Sequence, residues 1–126
     1  MNIFICDDSA EQISLCKKSL QRLCAEHGVH ASIQSFPSGE ALLFEAEDSY
    51  ASLDLIYLDI RMPGLNGLET AKRLREIGYL GDIVFFTITP DYAIDGYDVS
   101  ALHYVLKDQT SAEKFEEIFL RACERK

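Results

Sequence analysis

Two adjacent carboxylates, Asp7 and Asp8, stand directly behind the apolar run "NIFIC" (2–6). A third, Asp59, ends the run "LDLIYLD" (53–59), after which the chain breaks into Met-Pro-Gly and Asn-Gly. A hydroxyl, Thr87, and an amine, Lys107, stand at the ends of "DIVFFT" and "ALHYVLK". Three carboxylates gathered in one crevice repel one another and raise each other's pKa unless a cation lies among them. Mg2+ suits such a place: it is a hard ion that takes one or two carboxylates, keeps several waters and is often completed by a phosphate oxygen. A hydroxyl can donate to a phosphoryl oxygen, and a lysine offers a mobile point charge for phosphate. With the acids holding the ion and Lys107 opposite, the Asp59 carboxylate can attack phosphorus in line and become an aspartyl phosphate. Taken singly, these residues read as a helix cap, a strand threonine, a solvated strand-end charge and a turn-former before proline. Their common position at the ends of apolar runs is what sets them apart.

The elements that must place them follow from periodicity and caps. "NIFIC" reads as a strand, Ser9 with Gln12 as a capping box, and Ile13, Cys16, Leu20 and Leu23 as one face of a helix closed by Gly28. A second strand over 30–36 leads through Pro37-Ser38-Gly39 into a short helix reaching about Glu47, and the third strand is 53–59. Asn66-Gly67 has the form of a hairpin turn, but Asn66 with Glu69 also makes a capping box and Leu68, Ala71 and Leu74 continue at helical period, which favours a helix. A fourth strand (82–88) precedes Thr89-Pro90, a cap with proline at the first helical position, and a helix of two turns. A fifth strand (101–107) precedes a last helix beginning near Thr110 or Ser111, striped by Phe115, Ile118, Phe119 and Ala122. Five strand–helix units call for an α/β fold, a three-layer, doubly wound parallel sheet with helices on both faces. Ligands of such sheets bind beyond the carboxyl ends of the strands, where the winding reverses.

At 126 residues the chain reads as one domain, 1–126, with no room for a second. Net charge is −9 and the pI about 4.7, the wrong sign for neutralising nucleic-acid phosphates, so no direct nucleic-acid binding is expected. Without a basic leader or an apolar run near the roughly 18 residues that cross a bilayer, the expected setting is cytoplasmic, with no membrane contact. Cys6, Cys16, Cys24 and Cys123 form no C-x-x-C pair and read as buried thiols, and His27, His30 and His103 share no ligand spacing with them, which makes structural zinc improbable.

In "IFICDDS", "LDIRMPGLNG", "VFFTI" and "YVLK" the chain resembles, over essentially its whole length, the receiver domain of bacterial two-component response regulators. That resemblance implies the flavodoxin-like strand order 2-1-3-4-5, with five helices. It implies Asp59 as phosphoacceptor, Asp8 as a direct Mg2+ ligand, Asp7 acting through water, and the backbone carbonyl of Arg61 as a further ligand. Thr87 would hydrogen-bond the phosphoryl group, Lys107 would pair with it, and Tyr104 would be the switch aromatic that turns inward when Thr87 moves. The donor would be a phosphohistidine on a sensor histidine kinase, and the receiver would catalyse only its own phosphorylation and dephosphorylation. The output would act through the surface of the fourth helix, fifth strand and fifth helix, with a phosphorylation-dependent homodimer among the possible readouts. "YAIDGYDVSALHYVLK" is similar to receivers attached to LytTR-type DNA-binding domains, which would follow Lys126; no output domain is expected within the chain itself.

Two positions depart from the family pattern. Asp108 replaces the usual proline after the lysine, and since a non-proline cis bond costs about 3 kcal/mol, a trans Lys107–Asp108 bond is expected. Ile88 stands where the family carries a small residue, and its β-branched side chain would slow loss of the phosphoryl group. Three rivals remain: a haloacid-dehalogenase-type phosphatase, disfavoured by adjacent rather than alternating acids; a flavodoxin-like electron carrier, disfavoured by an acidic first turn; and a phosphate-independent pseudo-receiver acting as a protein-binding module.

Overall fold

The computed structural model describes residues 1–88 and 99–126. Its strands are β1 (Asn2–Cys6), β2 (Ser32–Phe36), β3 (Leu55–Leu58), β4 (Asp82–Thr87) and β5 (His103–Leu106). Its helices are α1 (Ala10–His27), α2 (Gly39–Ser49), α3 (Gly67–Ile77) and α4 (Ala112–Glu124), with a 3-10 turn over Tyr50–Ser52. All strand pairs are parallel, and the sheet order is β2-β1-β3-β4-β5, the order the resemblance implies. The described residues hold four α-helices where five are expected; the fourth expected helix and its Thr89-Pro90 start lie outside the described residues, so the expected fifth helix is α4 here.

Strand alternation builds the three layers. In β1, Phe4 and Cys6 join Ile56 and Leu58 of β3 beneath α2 and α3, while Ile3 and Ile5 join Leu55 and Tyr57 beneath α1 and α4. Every residue of β3 is buried, as expected for a central strand covered on both faces. Among the described residues the caps fall where the sequence puts them, although Ser9 and Gln12 form only the Ser9 half of the expected capping box. Ser9 accepts from the Gln12 amide, Gly28 closes α1 in the left-handed region, Ser111 caps α4, and Asn66 and Glu69 complete a reciprocal capping box. Asn66-Gly67 is thus a helix start and not a hairpin.

Among the described residues β5 is an edge strand paired only with β4, and Arg75 braces the chain entering it. Its guanidinium donates to the carbonyls of Val99 (2.7 Å), Tyr79 (2.9 Å), Gly81 (2.9 Å) and Ser100 (3.2 Å), tying α3 to both neighbouring connections. Tyr57 stacks on Phe115 at 5.6 Å with its hydroxyl buried and unpartnered among the described residues. An unpaired buried hydroxyl costs about 1–3 kcal/mol. Tyr57→Phe is therefore expected to stabilise the fold by about 1 kcal/mol, read from urea denaturation midpoints; a lower midpoint would show that the hydroxyl is satisfied.

Candidate functional site

The sheet ladder runs one residue past three strands and locks the backbone of the reactive positions. Asp7 N donates to Phe36 O at 3.2 Å, Asp59 N to Cys6 O at 3.0 Å, and Lys107 N to Thr87 O at 2.8 Å. Because β1 and β3 are neighbours with β2 on the other side of β1, Asp7 and Asp59 fall at the reversal of winding. One carboxylate oxygen from each of Asp7, Asp8 and Asp59 lies within 4.8 Å of the others. Asp7 and Asp59 are buried and Asp8 is exposed, so the cluster opens to solvent on the Asp8 side.

Lys107, one hundred residues from Asp7, contacts its Oδ2 directly and stands 3.6 Å from Asp59 Oδ2. The Asp7 Oδ1 accepts from Ser9 N at 2.9 Å, so this acid also shapes the turn into α1. Asp59 Oδ1 accepts from Ile60 N at 2.8 Å, and the Thr87 hydroxyl donates to the same carboxylate. Burial raises the Asp59 pKa above the ordinary carboxylate range, with Asp7 adding to it, while Lys107, Thr87 and the Ile60 amide pull it down. Beneath the acids, burial and the nearby carboxylates push the Cys6 thiol up to about 12, which keeps it a neutral packing group. It touches Met62 sulfur to sulfur at 3.7 Å.

The remaining sequence-derived positions are placed around this centre. Arg61 is exposed in the connection between β3 and α3, and Ile88, directly after Thr87, is 65% exposed. Tyr104 is half-buried, its ring 6.0 Å from that of Phe85. There is no cis peptide bond among the described residues, so Lys107–Asp108 is trans. A second group, Glu26, His27 and Glu116, lies on the helix surface, where His27 bonds Glu116 at 2.6 Å and Arg22 pairs with Glu26 at 3.0 Å.

Sequence reasoning missed one residue here. A Cβ on Gly67 would lie 2.1 Å from the Asp59 carbonyl oxygen, so the first turn of α3 rests directly on the backbone of the acid. The only signal in the sequence is a glycine directly after a cap residue, which local rules assign to turn or helix start.

The arrangement is one that can hold a cation, present one buried carboxylate and neutralise incoming negative charge. The family model described as the response regulator receiver domain matches residues 3–119. The chain belongs to that family. Among the receiver's relatives, the positive alginate biosynthesis regulatory protein of Pseudomonas aeruginosa is 33% identical over 117 residues, covering 92% of this chain and 45% of that protein. The sensory transduction protein LytT of Oceanobacillus iheyensis is 31% identical over 109 residues, covering 85% of the chain and 43% of LytT. The receiver thus spans less than half the length of these relatives. Among solved structures, the response regulator TrrA of Thermotoga maritima, in complex with Mg2+ and BeF, superposes with a TM-score of 0.80 at 28% identity, over 96% of this chain and 97% of that one. The receiver is part of a two-component signalling family, and no helix among its described residues is long and apolar enough to cross a membrane.

Proposed function

We propose that this receiver is a phosphorylation-dependent switch in which Asp59 accepts a phosphoryl group from a phosphohistidine of a sensor histidine kinase. The observation that carries the reading is the Asp59 carboxylate at the tip of β3, with Asp7 and Asp8 beside it and Lys107 at 3.6 Å. An all-oxygen set of three carboxylates, open on the Asp8 side, fits Mg2+. Asp8, Asp59 and the Arg61 backbone carbonyl would hold the ion, with Asp7 acting through water. Bound there, it would neutralise the acids and the charge gathering on the phosphoryl oxygens.

Asp59 then attacks phosphorus while the phosphorus–nitrogen bond to the donor imidazole breaks, and the departing imidazole takes up a proton. Lys107 and Thr87 would follow the charge as it moves outward, Lys107 by swinging from Asp7 and Thr87 by exchanging a carboxylate for a phosphoryl oxygen. Movement of Thr87 would let Tyr104 turn inward and shift the output surface to which β5 and α4 belong. That surface would control a transcriptional output or a phosphorylation-dependent homodimer in the cytoplasm. The likeness to LytT supports a LytTR-type DNA-binding domain as the output.

The deciding experiment incubates native and Asp59→Asn protein with Mg2+ and acetyl phosphate and compares intact masses. One added phosphoryl group on the native chain alone, abolished by prior chelation of Mg2+, is the expected result. No addition to either, with an active receiver modified in parallel, would favour the pseudo-receiver reading. Ile88 directly follows Thr87 and is largely exposed, so Ile88→Ala is expected to lose its phosphoryl group about three-fold faster by admitting water. Equal or slower decay in the alanine variant would remove that role.

A further inference from the structure

We propose that Glu40, on the first turn of α2, is a positioning residue that clasps the connection between β3 and α3 and so holds the Arg61 carbonyl in place; this rests on the reading of Asp59 and Mg2+ given above. Residues 60–66 belong to no strand or helix, yet one of their carbonyls must keep its place relative to Asp59. The ends of this connection are tied to its neighbours: Ile60 N donates to Asp59 Oδ1 at 2.8 Å, and Gly67 N donates back to Ile60 O at 2.8 Å. Between these ends the Glu40 carboxylate reaches the connection from another element, at Gly64 and Leu65.

Glu40 Oε2 accepts from Leu65 N at 3.4 Å and sits over Gly64, only 2.4 Å from where a Cβ would be. Gly64 has φ +74, so the absence of a side chain permits both the turn and the carboxylate lying on it. Glu40 is itself held in register by its neighbour. A Cβ on Gly39 would lie 2.1 Å from Thr70 Oγ1, and that buried hydroxyl donates to Asn66 O at 2.8 Å. The first turns of α2 and α3 are therefore docked on each other with the acceptor connection between them. Glu40 is also near enough to the acids to contribute with them to the raised pKa of Cys6.

The test follows amide hydrogen exchange by NMR in the metal-free chain, then titrates Mg2+ into the same samples, for native, Glu40→Gln and Glu40→Ala protein. A single exposed hydrogen bond is worth a few-fold in an equilibrium. In Glu40→Ala, the Leu65 amide is expected to exchange about three-fold faster and Mg2+ to bind about three-fold more weakly, with the α2 and α3 amides unchanged. Glu40→Gln, whose amide oxygen still accepts, keeps both values within about two-fold of native. Unchanged Leu65 exchange in Glu40→Ala, faster exchange without weaker Mg2+ binding, or a Gln variant that behaves like Ala would each overturn the proposal. Failure of native protein to bind Mg2+, with Leu65 exchange still rising in the Ala variant only, would overturn the reading of the site and leave the clasp of the connection standing.

Discussion

Gly67→Ala is expected to be destabilised by about 3 kcal/mol or more and to take up a phosphoryl group about a hundred-fold more slowly. The added methyl would meet the Asp59 carbonyl oxygen at 2.1 Å, its carbon at 2.8 Å and Ile60 Cα at 2.9 Å. All three are backbone atoms, so no rotamer relieves the overlap. Either α3 lifts from the sheet, weakening the cluster that includes Leu68, Ala71 and Leu74, or the tip of β3 shifts and carries the Asp59 carboxylate with it. Displacing a reacting group by about 1 Å costs about two orders of magnitude in rate. Urea denaturation and the time course of mass increase with acetyl phosphate measure the two effects. Gly28→Ala is the control: it strains a left-handed glycine at φ +66 but has nothing within 4 Å, so about 1 kcal/mol of stability is lost and uptake is unchanged. A Gly67→Ala protein of native stability and native uptake would show that the contact yields without consequence.

Lys107→Ala is expected to bind Mg2+ about ten-fold more tightly while phosphoryl uptake collapses. The lysine ammonium contacts Asp7 and stands 3.6 Å from Asp59, so it occupies the same negative field that the ion requires. Removing a competing charge at such range is worth more than 1 kcal/mol at an intermediate effective dielectric, hence the order of magnitude. The same change leaves two buried carboxylates without their cation, and metal-free Lys107→Ala should be less stable than native at neutral pH. The sign of its pH dependence follows from Asp59. Burial already raises that pKa and Lys107 opposes the rise, so the alanine variant raises it further. A carboxyl whose folded pKa lies above its unfolded one stabilises the fold when protonated, and that contribution is lost as pH rises through the folded pKa. Thermal melts of metal-free Lys107→Ala should therefore recover toward native as the solution is acidified, and added Mg2+ should restore stability at neutral pH. Unchanged Mg2+ affinity would mean that Lys107 does not shield the acids.

Local rules read much of the framework. The "NIFIC" strand, the Ser9, Asn66 and Ser111 caps, and the left-handed close of α1 at Gly28 all depend on residues within a turn of one another. The strand ends read longer than they are, with 53–59 resolving to Leu55–Leu58 and 101–107 to His103–Leu106. The apolar runs end at Leu58 and Leu106, the last paired residues, and Asp59 and Lys107 stand just beyond them, each held by a backbone bond to the neighbouring strand. That small displacement is what frees their side chains at the rim of the sheet.

By itself, the sequence determined that acids, a hydroxyl and an amine follow apolar segments of an alternating α/β chain, because burial period and capping chemistry are local. It also matched those positions to a family through the motifs around them. Only the tertiary structure decided that Lys107 rests on Asp7 as well as near Asp59, that Thr87 already donates to the acceptor, that Gly67 is a site of backbone contact, and that Glu40 lies over Gly64. These four facts join residues that different elements bring together, and a side chain's partner across a sheet or between two helix starts is set by packing geometry, which no window of neighbouring residues contains.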